Sequence, residues 1–413
     1  MPDNAERANA AKALRWVLLA IFVAGVAVAH HWYGNRHNFY DLGIYRQAVN
    51  WWLDGHDLYK FTKPDDTQGQ LGFTYPPFGA LVLVPFAVLP KSLAILTYAV
   101  LTIAAVVVTT WWLLAPVARR HGWSLAFVMV LAVTVISTLE PMRETFTFGQ
   151  INMLLIVLIL LDLLVLIPKQ SRWAGIAIGI AAAIKLTPAI FIVYLLSTRR
   201  RRAALMAVAS GAGATLVAAA IAPRASWDYW TDTLWRGEGL GNAAYTFNQS
   251  IYAMLARFSA PDQPNRVLWA ALVLVTLVFG LWRARRAFLA GDEVAGLTLT
   301  GITGSMISPI TWAHHLYWFV PALVVLVDVA RRRPWCGVLA AVIAVTVGLG
   351  LVSWFEQGLP TDPWAHGVQG FLIKNWYLLL SALLLVVLPA RPAADGPPEI
   401  ARGQAADEAA AVR

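Results

Sequence analysis

Apolar runs of roughly 17 to 24 residues recur along almost the whole chain, each about as long as the hydrocarbon core of a bilayer requires. In lipid every backbone N–H and C=O must find a partner inside the protein, so a chain built this way becomes helices. Only 13% of the 413 residues are charged and 59% are hydrophobic, against about 25% charged in an ordinary soluble domain. A large soluble α/β enzyme has apolar helices too, but not so many with so little polar sequence between them. The chain reads as an all-α polytopic membrane protein.

The formal charge of +9 raises nucleic acid as a partner, and the placement of the charge argues against it. The basic residues form short clusters between apolar segments, clearest at Arg199–Arg202, Arg283/Arg285/Arg286 and Arg331–Arg333. Such clusters read as cytoplasmic anchors, with anionic membrane lipids as their partners. The lone Cys336 excludes an intramolecular disulfide and a cysteine metal cluster, and reads as a buried small residue. Residues 16–31 mimic a signal peptide, with Lys12 and Arg15 ahead of them and Ala27-Val28-Ala29 as a cleavage-like site. A functional-looking motif and further membrane sequence follow at once, so an uncleaved first span is preferred.

About twelve spans are expected, at roughly 14–32, 92–115, 124–140, 150–167, 172–184, 187–198, 202–221, 267–282, 294–308, 315–330, 335–352 and 371–389. Several are short, which calls for tilted or broken helices. Residues 76–90, apolar between Pro76-Pro77 and Pro90, read as a re-entrant or interfacial hairpin or a thirteenth span. With residues 1–13 as a cytoplasmic tail, most of the 32 Lys and Arg fall inside. The loops 33–91, 141–149, 222–266 and 353–370 then lie outside, around a multispanning region of 14–389, and residues 390–413 read as a disordered cytoplasmic tail. The outer loops carry Trp227, Tyr229, Trp230, Trp235, Tyr245, Trp354 and Trp364. These read either as an interfacial aromatic belt or as faces for stacking on sugar rings.

Polar residues cluster at the expected outer helix ends. Asp41 lies among Phe39, Tyr40, Ile44 and Tyr45, where partial burial would raise its pKa and make it a proton acceptor. The bland reading is an N-cap for a helix over 42–53. Arg46 and Gln47 follow within reach of the same pocket, while Asp54 and Asp57 look like turn residues, with Asp57 a candidate for binding a hydroxyl. Thr74-Tyr75-Pro76-Pro77 is either a structural corner or a device that sets Tyr75 beside a substrate. Gln150 and Asn152 start a membrane helix, where amides bind sugar hydroxyls or satisfy the helix end. Arg143 either offers charge to a phosphate or pairs with Glu140 or Glu144.

Lys185, near membrane depth, needs water, an acid or an anionic ligand unless it snorkels to the surface. His314 and His315 read as donors to a phosphate or a sugar, or as satisfied interfacial histidines. Their spacing does not suit zinc, so no metal and no other cofactor is expected. Together these groups suit sugar transfer from a lipid phosphate, which needs one base and positive or hydrogen-bonding groups for the departing phosphate.

At these motifs the chain resembles the bacterial polyprenol-phosphate-mannose-dependent mannosyltransferases of the multispanning GT-C superfamily (glycosyltransferase family 87). The residues that carry the resemblance are Asp41-Leu42-x-x-Tyr45, Thr74-Tyr75-Pro76-Pro77, Gly149-Gln150-x-Asn152, Lys185-x-x-Pro188 and Ser308-Pro309-x-x-Trp312-x-His314-His315. It implies a site on the extracytoplasmic face of the cytoplasmic membrane, a polyprenyl-phosphate-mannose donor and a phosphatidylinositol mannoside acceptor. It further implies Asp41 as catalytic base and inversion to an α-1,2-mannoside without nucleotide sugar or essential metal. Lys185, His314 and His315 would then serve the phosphate, with Arg46, Tyr45, Tyr75, Gln150 and Asn152 positioning substrate. A transferase for another sugar or glycan acceptor, or a lipid or polysaccharide transporter, remains the alternative.

Overall fold

A computed structural model describes residues 4–65, 69–236, 242–260, 263–355 and 367–391. The described chain is almost wholly helical. It opens with α1 (Asn4–Tyr33), whose apolar surface faces outward over most of its length. The chain then turns sharply, with Asn38 and Phe39 both at positive φ, into the amphipathic α2 (Tyr40–Leu53). A short antiparallel hairpin follows, β1 (Thr62–Asp65) paired with β2 (Gly69–Gly72), Thr62 opposite Gly72. Pro76 and Pro77 begin α3 (Pro77–Val88). At 12 residues this helix is about 18 Å long, too short to cross a core of ~30 Å alone. It packs between α2 and the later α8 (Ile176–Ile184).

Next come α4 (Lys91–His121), α5 (Leu125–Thr138), α6 (Glu140–Phe148) and α7 (Asn152–Leu161). The α5–α6 pair bends by 72°, and α7 runs on as a π-helical turn over Asp162–Leu166. Beyond α8 lie α9 (Ile190–Ser197) and α10 (Arg201–Ile221). A run of short turns follows, α11 (Pro223–Asp228), a π-helical stretch over Tyr229–Thr233, and α12 (Leu234–Arg236). The rest comprises α13 (Ile251–Ser259), α14 (Arg266–Leu289), α15 (Glu293–Ile307), α16 (Phe319–Val329), α17 (Pro334–Leu349), α18 (Gly367–Lys374) and α19 (Trp376–Val387). Helix α15 is buried continuously from Ala295 to Met306 and forms the axis against which α9, α14, α16 and α19 pack.

A helix therefore stands at each of the twelve expected spans, but length and composition qualify fewer as membrane crossings. Among the described residues four helices are long and apolar enough, α1, α4, α10 and α14, or six if the bent pairs α5–α6 and α18–α19 each count once. Several remaining helices are apolar but short, including α3, α16 and α17. Cys336 is fully buried, as expected. Trp227 and Trp235 are exposed and Tyr229 is buried; Trp364 and the tail beyond Arg391 lie outside the described residues.

The end of the bundle carrying the basic clusters is clasped by charge. Asp328 accepts from Arg120 (2.6 Å), His121 (2.7 Å) and Arg391 (3.0 Å), and Arg391 also grips Asp292 (2.6 Å). Paired in this way, the buried carboxylates avoid the cost of isolated charges.

Candidate active site

The turn that launches α2 sets the site. Phe39 donates its N–H to the carbonyl of Thr147 (2.8 Å), which seats the first turn of α2 on the C-terminus of α6. Gly149 ends α6 at φ +76°, a backbone conformation costly for any residue with a Cβ. A Cβ there would also meet Leu42 Cβ at 2.6 Å. Glycine thus permits both the turn and the close approach, and the next residue, Gln150, reaches Asp41. The helix begins at Tyr40, so Asp41 lies inside its first turn and caps nothing.

Gln150 Nε2 donates to Asp41 Oδ2. Its Oε1 accepts from Tyr45 (3.0 Å) and from Tyr75 (3.2 Å), whose hydroxyls are 2.7 Å apart. Burial raises the pKa of both phenols, so they stay neutral. Tyr75 is fixed from behind as well, for its carbonyl accepts from Tyr59 (2.8 Å). Burial also pushes the Asp41 carboxyl from 3.8 up to about 6, restrained by the Gln150 hydrogen bond and the charge of Lys185.

Lys185 sits where α8 breaks. Its own backbone is extended, and Pro188, within the following single turn, cannot extend the α8 ladder. The break aims the amine at Tyr75 (3.3 Å), Asn152 Oδ1 (3.1 Å) and His315 Nε2 (3.0 Å), so it does not snorkel away. α3 can press on this corner because position 79 is glycine; a Cβ there would meet the Ile184 carbonyl at 2.6 Å. The histidine wall is strapped from the side. Asn248 donates to Pro309 O (3.1 Å) and accepts from Thr311 N–H (2.9 Å), while Gln249 donates its N–H to Thr311 O (2.7 Å).

His315 Nδ1 accepts from Trp312 N–H (3.1 Å), so a neutral ring carries its proton on Nε2. That N–H faces Lys185, another donor. An anionic oxygen set beside this pair could accept from both groups. His314 stands at right angles to His315 (89°), 4% exposed, with neither ring nitrogen hydrogen-bonded among the described residues.

Asp41, Tyr45, Tyr75, Gln150, Lys185, His314 and His315 all line one cavity of about 530 Å³. Asn152 lies just beneath, on a smaller apolar cavity of about 60 Å³, bridging Lys185 to the His314 carbonyl (3.1 Å). Arg46 is a correction: it turns away from the pocket and donates to the Phe86 carbonyl of α3. Gln47 is exposed. Asp57 lies outside the cavity too, paired with Lys60 (2.7 Å) and Arg224 (3.0 Å). Arg143 is taken up by the carbonyls of Thr138 and Gly348 rather than by the pocket.

Sequence reasoning missed other residues of the cavity wall, among them Arg36, His37 and Asp65. His37 stacks on Phe148 (3.7 Å between ring centres) and pairs with the buried Glu144 (2.7 Å). Its place four residues ahead of Asp41 was the available signal.

A helical membrane-type protein with the Asp41 carboxylate and a convergent set of donors in a shared cavity has the build of a lipid-linked glycosyltransferase. The chain belongs to glycosyltransferase family 87, whose model matches residues 73–309. It is 36% identical over 91% of its length, and 92% of the relative's, to a polyprenol-phosphate-mannose-dependent α-(1-2)-phosphatidylinositol mannoside mannosyltransferase of Mycobacterium tuberculosis. It is 32% identical over 90% of its length, and 84% of the relative's, to a pentamannoside mannosyltransferase of the same dependence and linkage from that species. An α-(1→3)-arabinofuranosyltransferase of M. tuberculosis is 26% identical over 71% of this chain and 68% of its own. No solved structure matches the chain significantly.

Proposed function

We propose that this protein transfers mannose from polyprenyl-phosphate-mannose to a phosphatidylinositol mannoside, forming an α-1,2 linkage with inversion. The observation that carries the reading is the hydrogen-bonded chain Asp41–Gln150–Tyr75–Lys185, which joins a carboxylate to a cation within one cavity. Asp41 takes the proton of the acceptor mannose 2-hydroxyl as that oxygen attacks the anomeric carbon. The bond from that carbon to the phosphate oxygen breaks, and its electron pair leaves on the phosphate. Lys185 and His315, with His314 beside them, stabilise that charge. Tyr45, Tyr75, Gln150 and Asn152 hold Asp41 and Lys185 in register, and no metal is required. The names of the mannosyltransferase relatives supply the donor, the acceptor class and the linkage.

The site faces the extracytoplasmic side in this reading, because it lies among the loops that positive-inside counting puts outside. Direct test uses purified protein, radiolabelled polyprenyl-phosphate-mannose and a short phosphatidylinositol mannoside. The expected product is sensitive to α-1,2-specific mannosidase and absent with Asp41→Asn. Likeness to the arabinofuranosyltransferase favours one second reading, another polyprenyl-phosphate sugar, and that is tested by exchanging the donor. Movement of the sugar-lipid without a new bond would point to transport.

A further inference from the structure

We propose that Arg36 forms a second anion subsite at the mouth of the cavity and takes the phosphodiester of the acceptor glycolipid. The inference rests on the transferase reading above and concerns a residue to which that reading gives no task. Helix α1 is long and apolar enough to cross a membrane, and it ends at Tyr33 beside Trp32, which is 83% exposed. Arg36 follows three residues later, exposed, at the level where a membrane helix gives way to headgroups. It also lines the cavity that holds Asp41. The two lie five positions apart in sequence, which limits their α-carbons to about 17 Å apart.

The guanidinium of Arg36 lies 4.3 Å above the ring of Tyr33. That ring is held in place, since its hydroxyl donates to the buried Glu144 (2.7 Å). Held over the ring, the guanidinium still has N–H groups to offer, and arginine takes phosphate oxygens in pairs. Among the described residues no carboxylate forms an ion pair with Arg36, and the neighbouring cavity carboxylate, Asp65, accepts from Tyr40 (2.8 Å).

Charge bookkeeping of the reaction needs two such places. The donor phosphate departs as the new bond forms, so it belongs with Lys185 and His315 on the wall linked to Asp41. The acceptor's phosphodiester takes no part in bond breaking and stays with its lipid near the membrane surface. A bystander anionic lipid offers the same chemistry as the acceptor's own phosphodiester, and the test must separate them.

Full-length protein in nanodiscs of zwitterionic lipid is assayed with polyprenyl-phosphate-mannose and two acceptors, a phosphatidylinositol mannoside and a neutral alkyl α-mannoside. For Arg36→Gln the ratio of kcat/KM on the anionic acceptor to that on the neutral one falls at least tenfold. The change lies chiefly in acceptor KM, with donor KM within twofold, and Arg36→Lys recovers part of it. Equal losses on both acceptors would overturn the proposal. So would a loss that appears only when phosphatidylglycerol is added to the bilayer, which would assign Arg36 to a bystander lipid. Wild-type protein that mannosylates neither acceptor would overturn the transferase reading and this proposal with it, and the wild-type control tells that failure from the others.

Discussion

Gln150 holds Asp41 through a single amide whose two ends do opposite work. Its Nε2 donates to the carboxylate, and its Oε1 collects the hydroxyls of Tyr45 and Tyr75. The amide orientation is thereby fixed from both sides, and the carboxylate is held toward the cavity in the form that accepts a proton.

Asp41→Asn abolishes transfer, by about 10³-fold or more if general-base catalysis and positioning are both lost, and it stabilises the fold near neutral pH. Burial raises the carboxyl from 3.8 to about 6, so the folded state prefers the protonated form. Ionisation therefore costs stability: the cost is absent below pH ~4, grows up to about pH 6 and is constant above. The difference is worth about 3 kcal/mol at most. Thermal melting of both proteins at pH 7.5 and pH 4 checks it, and a variant that melts lower at pH 7.5 would contradict the environment assigned to Asp41.

Acid inhibition follows from the same carboxyl. The base must be ionised, so kcat/KM climbs with pH to a plateau, with its midpoint near the value of about 6 held by Asp41 in the empty site. Gln150→Ala removes a hydrogen bond that favours the charged form, and moves that midpoint to higher pH. A pH–rate profile of both proteins from 5 to 8 reads this directly; an unmoved midpoint would assign the limb to another group.

Lys185→Met keeps most of the side chain's length and removes its charge. The expected loss in kcat is about 10²–10³-fold, the usual scale for one group that stabilises developing charge. Donor KM rises and acceptor KM changes little. Steady-state kinetics with each substrate varied in turn separate the two.

Gly149→Ala tests the close seat of α2 on α6. A Cβ at φ +76° that meets Leu42 costs more than about 1 kcal/mol and displaces the first turn of α2. Activity falls at least tenfold with the donor's binding affinity nearly intact, measurable by kinetics beside direct donor binding.

Arg46→Ala separates packing from chemistry. Arg46 ties α2 to the Phe86 carbonyl and does not reach the cavity. Its removal lowers the melting temperature and leaves donor KM unchanged, whereas a large rise in donor KM would return Arg46 to the site.

What the sequence determined by itself is local. Apolar runs without charge fix helices wherever a bilayer leaves the backbone no other partner, and Pro76-Pro77 and Pro188 fix where two of them begin or break. Polar residues stranded at helix ends are conspicuous for the same reason, which is why Asp41, Gln150 and Lys185 were legible before any fold was known. The tertiary structure decided which of them meet. Asp41 and Gln150 lie 109 residues apart in sequence, and Lys185 and His315 lie 130 apart. Helical periodicity constrains neighbours within two turns and says nothing about such distances, so Arg46, within two turns of Asp41 by spacing, went to Phe86 while Arg36 and His37 joined the cavity. Helix regularity was likewise a matter of packing: α7 passes into a π-helical turn where the buried Asp162 accepts the N–H groups of Gly175 and Ile178 at the start of α8, and no hydropathy window sees those contacts.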